Sequence, residues 1–136
     1  MTRATVIAAV RDYLSASYHG PVAIHPESST ETIQPPYTVI RIGSGEQMYP
    51  GQAEIWDMNI LIGVFHDADT TTAEDAEAQA GEVFAMFDDP AGFFTASAET
   101  LVWSAFERHV TEASIAETRW QHVAGFRGIV APAAED

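Results

Sequence analysis

Residues 54–66 alternate so regularly that they read as a strand buried on one side. Trp56, Met58, Ile60, Ile62 and Val64 point one way, and Asp57 and Asn59 point the other. Leu61 and Phe65 make the second face apolar near its C-terminal end, which predicts cover on both sides there. A strand with one long apolar face needs a partner layer, and two segments of helical period supply it. The first spans 3–18: Val6, Ile7, Val10, Tyr13, Leu14 and Ser17 share an arc, with Thr5, Arg11 and Asp12 outside it. Thr2 is its expected N-cap and Gly20-Pro21 its stop. The second begins at Thr71, three residues before Glu74, which is capping-box spacing. Ala73, Ala76, Ala80, Val83, Phe84 and Phe87 form its apolar arc, Glu74, Asp75 and Glu82 lie opposite, and residues 88–92 end it.

The remaining strands are shorter or less regular. A short strand over 22–24 precedes an exposed loop at 25–36, whose Pro35-Pro36 sets an extended lead into a strand at 37–42. Residues 43–51 are expected to be a long turn. After the second helix, strands are predicted at 101–108 and 115–130, with a bulge near Gly125 or Gly128, and the tail from Pro132 frays. The order α-β-β-β-α-β-β predicts an α+β fold: one antiparallel or mixed sheet with two helices packed on one face. With 136 residues, 46% apolar side chains and no internal repeat or linker, residues 1–136 make one domain. Trp56, Trp103 and Trp120 belong on strand faces toward the helices.

Charge is segregated along this frame. The chain has no lysine and a net charge of −14; 13 of its 20 acids fall within 42–107, a stretch without arginine, while the other residues hold 7 acids and all 6 arginines. Like charges this dense are tolerated only where they are solvated or face a partner. Six dispersed arginines cannot form the basic patch of a nucleic-acid reader, and anionic membrane surfaces are disfavoured for the same reason. No apolar run approaches the ~20 residues of a spanning helix. The N-terminus has no apolar signal-peptide core, so synthesis inside the cell is expected. The absence of cysteine excludes disulfides, thiol nucleophiles and thiolate metal sites.

Few residues suggest chemistry. His66, Asp67 and Asp69 could ligate a divalent cation, since imidazole and carboxylate suit zinc, manganese or magnesium. Acids before a helix more commonly serve its positive N-terminus or a turn, and no second set has ligand spacing, so no metal or cofactor is expected. His109 and His122, with Glu107, Arg108, Glu117 and Arg119, form either an acid–base cluster on facing strands or cross-strand pairs on a wet face, worth roughly 0.2–1 kcal/mol each. No G-x-S-x-G element occurs, and Gly43-Ser44-Gly45 follows a strand but precedes no helix, so it is no nucleotide loop. Catalysis is not expected. Met48, Tyr49 and Pro50 place apolar side chains among glycines, either as a mobile turn or as an arm that orders on a neighbouring subunit.

The first helix, the Pro35-Pro36-Tyr37-Thr38-Val39-Ile40 segment and the strand from Trp56 to Phe65 resemble the tail-completion (tail-terminator) proteins of tailed bacteriophages. The helix that stops at Phe87-Asp88-Asp89-Pro90 is similar to theirs, as is the closing segment from Glu117 to Arg127, where a polar and aromatic stretch runs into Gly-Phe-Arg. The resemblance lies in order, length and pattern over most of the chain. It implies a small α+β subunit without catalytic residues that assembles as a ring, commonly of six, on the head-proximal end of the tail tube. Its partners would be copies of itself, the tail tube protein and the head connector. Its place would be the virion tail, assembled in the bacterial host cytoplasm, with DNA passing through but not held. In such a ring Glu46, Glu54, Asp57, Glu74, Asp75 and Glu82 are candidates to face the channel, and Arg41, Arg108, Arg119 and Arg127, with Met48 and Tyr49, are candidates for subunit contacts. A head–tail joining protein of the same particle is the near alternative. An acidic DNA-mimic inhibitor is the alternative from another class, although a mimic usually presents its acids as a regular array. A metal-dependent enzyme at His66, Asp67 and Asp69 comes third.

Overall fold

The structure is a computed structural model that describes residues 2–24, 34–48 and 54–133. Strands Ala23–Ile24 (β1), Tyr37–Gln47 (β2), Trp56–Asp67 (β3), Leu101–Ala116 (β4) and Arg119–Pro132 (β5) form one sheet in the order β1-β2-β3-β5-β4. β1 runs parallel to β2 and every other neighbouring pair is antiparallel, so the sheet is mixed. Helices Arg3–Ser17 (α1), Ala73–Ala85 (α2) and Ala91–Ala96 (α3) cover one face. The fold is therefore α+β as expected, with one helix more than the sequence pattern indicates.

The alternation in β3 decides which face is covered. Met58, Ile60, Ile62, Val64 and His66 point under the helices and are at most 3% exposed, while Asp57, Asn59, Leu61 and Phe65 between them keep some contact with solvent. Val6, Val10 and Leu14 of α1, and Ala76, Ala80, Val83 and Phe84 of α2, close over that row. Thr2 caps α1 by accepting from the Thr5 amide at 3.2 Å, and the helix ends at Ser17, where Tyr18 turns extended. The second cap is displaced by one residue from the predicted Thr71: Thr72 Oγ1 accepts from the Asp75 amide at 3.2 Å. Three successive threonines offer equivalent caps, and with Thr72 chosen, Ala73 sits exposed in the first turn instead of on the apolar arc.

Four further expectations are corrected. Residues 43–47 are not a turn: β2 runs through them to Gln47, with one bulge between Ile42 and Ser44, and the Met48 amide donates to Ile55 O at 2.7 Å across the end of the hairpin. Gly43 takes this place because a side chain there would press on Leu61, 3.1 Å away. Residues 88–96 do not merely stop α2; they carry α3, which drives Phe93 fully into the core. There Phe93 meets Phe87, Trp103 and Phe106 with ring centroids 5.0–5.3 Å apart. Residues 115–130 are not one strand. Ile115 and Ala116 finish β4, and the chain reverses at Glu117, whose φ of 57° is left-handed, before β5 begins. The bulges lie in β4, between Trp103 and Ala105 and between Arg108 and Val110, rather than at Gly125 or Gly128 of β5. Those two glycines lie alongside: a Cβ at Gly128 would fall 2.6 Å from the Trp103 ring, and one at Gly125 2.7 Å from Val110.

Candidate functional site: the helix-free face of the sheet

The other face of the sheet has no layer over it among the described residues, which corrects the expectation that Leu61 and Phe65 are covered on both sides. Cross-strand register brings Val39, Leu61, Phe65 and Val123 together as a shallow apolar depression of about 210 Å³. Gly63 shapes its floor, since a Cβ there would meet the Phe65 ring at 3.2 Å. Tyr37 stacks on Phe65 with centroids 5.2 Å apart, and Arg119 lies over the Tyr37 ring while donating to its hydroxyl at 2.7 Å. Arg41 is exposed at the border of the depression. Farther along the same face, Arg127 forks onto Asp57 through Nε at 3.1 Å and Nη2 at 2.7 Å. That hydrogen-bonded arginine holds the Asp57 carboxyl below the ordinary carboxylate range, and the carboxylate raises the guanidinium in return.

Three of the four arginines singled out from sequence thus share one face, together with the acids Glu46 and Asp57, which are neighbours across β2 and β3. The fourth does not join them. Arg108 turns to the helix side and pairs with Asp88, its guanidinium 6.0 Å from the Phe84 ring. Met48 is half-buried at the end of β2, and Tyr49 lies outside the described residues. Glu54 accepts from Trp56 Nε1 at 3.1 Å just ahead of β3. Glu74, Asp75 and Glu82 stand exposed on α2, on the opposite side of the sheet from Glu46 and Asp57. The acidic block is continuous in sequence and divided in space.

The metal candidates disperse as well. Period-two alternation sends His66 inward and Asp67 to the other face. His66 Nε2 shares a hydrogen bond with Gln79 Oε1 at 2.8 Å, whereas Asp67 Oδ1 accepts from the Asp69 amide at 2.9 Å. Among the described residues no three histidines or carboxylates gather into a metal-holding group. The acid–base cluster around His109 does not assemble either. His122 lies on the helix side, 6% exposed, so it is not on a wet face, while Glu107 belongs to the other face and His109 occupies a β4 bulge in solvent. Burial, and then the neighbouring His66, push the His122 imidazole below its ordinary range, with Glu77 pulling weakly upward. The residues that sequence reasoning missed are Tyr37, Val39 and Val123; the alternation in 37–42 and 119–127 held the signal, but only register shows that their rows coincide.

Among the described residues, no helix is long and apolar enough to cross a membrane. No family model matches the chain, and no curated protein is significantly similar to it.

Proposed function

We propose that this chain is a structural assembly subunit of a phage or prophage tail, a completion protein that caps the tail tube as a ring rather than an enzyme. The observation that carries this reading is the helix-free sheet face, where an apolar depression is bordered by Arg41, with Arg119 and Arg127 elsewhere on the same face, on a chain that is strongly acidic overall. A face of this kind suits lasting contact with protein: aromatic and arginine side chains dominate interface energetics, and sheets offer them on a rigid base.

The division of the acids narrows the channel proposal. Asp57 is paired with Arg127, and Arg41, Arg119 and Arg127 offset part of the acid on that face, which also carries Glu46, Asp67, Glu107 and Glu112. The α2 side carries Glu74, Asp75, Glu77 and Glu82 with no basic residue on that helix, and it is the side that would let DNA pass without adhering. Electron microscopy of particles assembled without this chain tests the assignment. Tails of uncontrolled length are expected. Normal free tails beside filled heads would shift the role to head–tail joining, and unaltered particles would remove it.

A further inference from the structure

The sheet ends in two open edges. β4 has no neighbour beyond it among the described residues, and its residues 107–116 are exposed on both faces, with Ile115 at 55% and Val110 at 39%. At the other end β1 pairs only with Tyr37 and Thr38, which leaves the outer edge of residues 39–47 of β2 without a strand partner among the described residues. An unpaired edge presents a row of amides and carbonyls ready to accept another strand, and charged side chains on it select which strand is accepted.

We infer that the β4 edge of one copy pairs with the β2 edge of a second copy, extending the sheet from subunit to subunit. Polarity permits this: β2 and β5 run one way and β3 and β4 the other, so a second sheet added in the same sense brings β2 antiparallel to β4. Charge selects it. On the helix-free face the β4 row contains Glu107 and Glu112 and no cation, so two β4 edges would repel each other. The β2 row contains Glu46 but also Arg41, which lies nearest Glu112 in the free stretch, is exposed and has no ion-pair partner among the described residues. Setting Arg41 opposite Glu112 pairs Val39 with Ser114, Ile40 with Ala113 and Ile42 with Thr111, a regular run between the bulges of both strands at one end and β1 at the other, with the β4 tip beyond Ser114 passing outside β1. The contact is heterologous, using different surfaces on its two sides, so it either closes into a ring or runs on as a filament.

The inference rests on the assembly reading above only for its biological setting, and cysteine cross-linking tests it separately. The chain contains no cysteine. Within one copy β2 and β4 stand three inter-strand spacings apart, about 14 Å, too far for a disulfide. Two double variants of the full chain, Val39→Cys with Ser114→Cys and, one rung along, Ile40→Cys with Ala113→Cys, are oxidised at high protein concentration after circular dichroism confirms the fold. One of these rungs has the close, non-hydrogen-bonded geometry that a cross-strand disulfide prefers. A ladder of linked species is expected with at least one pair. Adding Arg41→Glu should cut its yield at least tenfold, and adding Glu112→Arg to that variant should restore it. Monomer alone with both pairs overturns the inference, as does equal linking by the out-of-register pair Val39→Cys with Glu112→Cys. Oligomers in native mass spectrometry without either link would overturn the edge contact and leave the ring standing. Linked oligomers from a chain whose loss leaves tails unaltered would do the reverse.

Discussion

Gly128 lies beneath the Trp103 indole, which is held in place by its own N–H donating to Ser97 Oγ at 3.1 Å. A methyl at this position has nowhere to go, because the ring is anchored and Ile60 closes the other side at 3.1 Å. Gly128→Ala should therefore destabilise the protein by about 1–3 kcal/mol in urea unfolding. Gly45→Ala, where the new methyl meets only Met58 at an ordinary 3.5 Å, should leave the urea midpoint almost unchanged. The bulge expected at Gly125 or Gly128 of β5 lies instead in the facing strand, β4. A glycine inside a bulge and a glycine facing one leave the same mark on a single sequence, because each is needed where two backbones or a backbone and a ring approach closely.

The helix layer shows how far element-level patterns reach. α1 and α2 were legible because several turns of apolar period stand between capping residues and stops, whereas α3 has six residues and lacks the length to display a period. Its value lies in Phe93, and Phe93→Ala should cost about 3–5 kcal/mol, read as a lower urea midpoint. Gly43 and Gly45 ordinarily punctuate, which is why sequence predicts a turn after Ile42; register with β3 overrides that tendency. The metal trio failed on a fact that the sequence already held, since adjacent residues of a strand face opposite ways. Beneath α2, His66 and His122 leave their Nδ1 atoms without a partner, so the interior favours His122 uncharged. Above pH 7 both folded and unfolded chains hold this imidazole neutral, and stability is unaffected. As the pH falls through about 6.5, the ordinary value, the unfolded chain takes a proton that the folded chain resists, and stability is lost. The urea midpoint should fall between pH 7.5 and 5.5, and His122→Leu should flatten that decline.

For the whole molecule, a net charge of −14 opposes both folding and self-association. Raising sodium chloride from 10 to 500 mM shortens the Debye length from about 30 Å to below 10 Å. The melting temperature and the oligomeric fraction at a given concentration should both rise, as read by thermal unfolding and sedimentation. A fall in melting temperature would mean that ion pairs such as Arg127 with Asp57 outweigh the repulsion. Sequence alone established that charge is segregated; it could not show that the acids divide between two sides of a sheet, because that depends on which rows register brings together.

The far half of β4 is exposed on both faces and, among the described residues, pairs with no strand but β5. Its amides should exchange with deuterium sooner than those of β3, which lie between two strands and beneath a packed layer. The consequence is mechanical. Stiffness is unevenly distributed across the molecule: the sheet is clamped where helices brace it and springs freely toward the tip of its last hairpin. A plate of that kind can be curled along its compliant margin without disturbing its core, so copies set side by side could adjust to the diameter of whatever they surround.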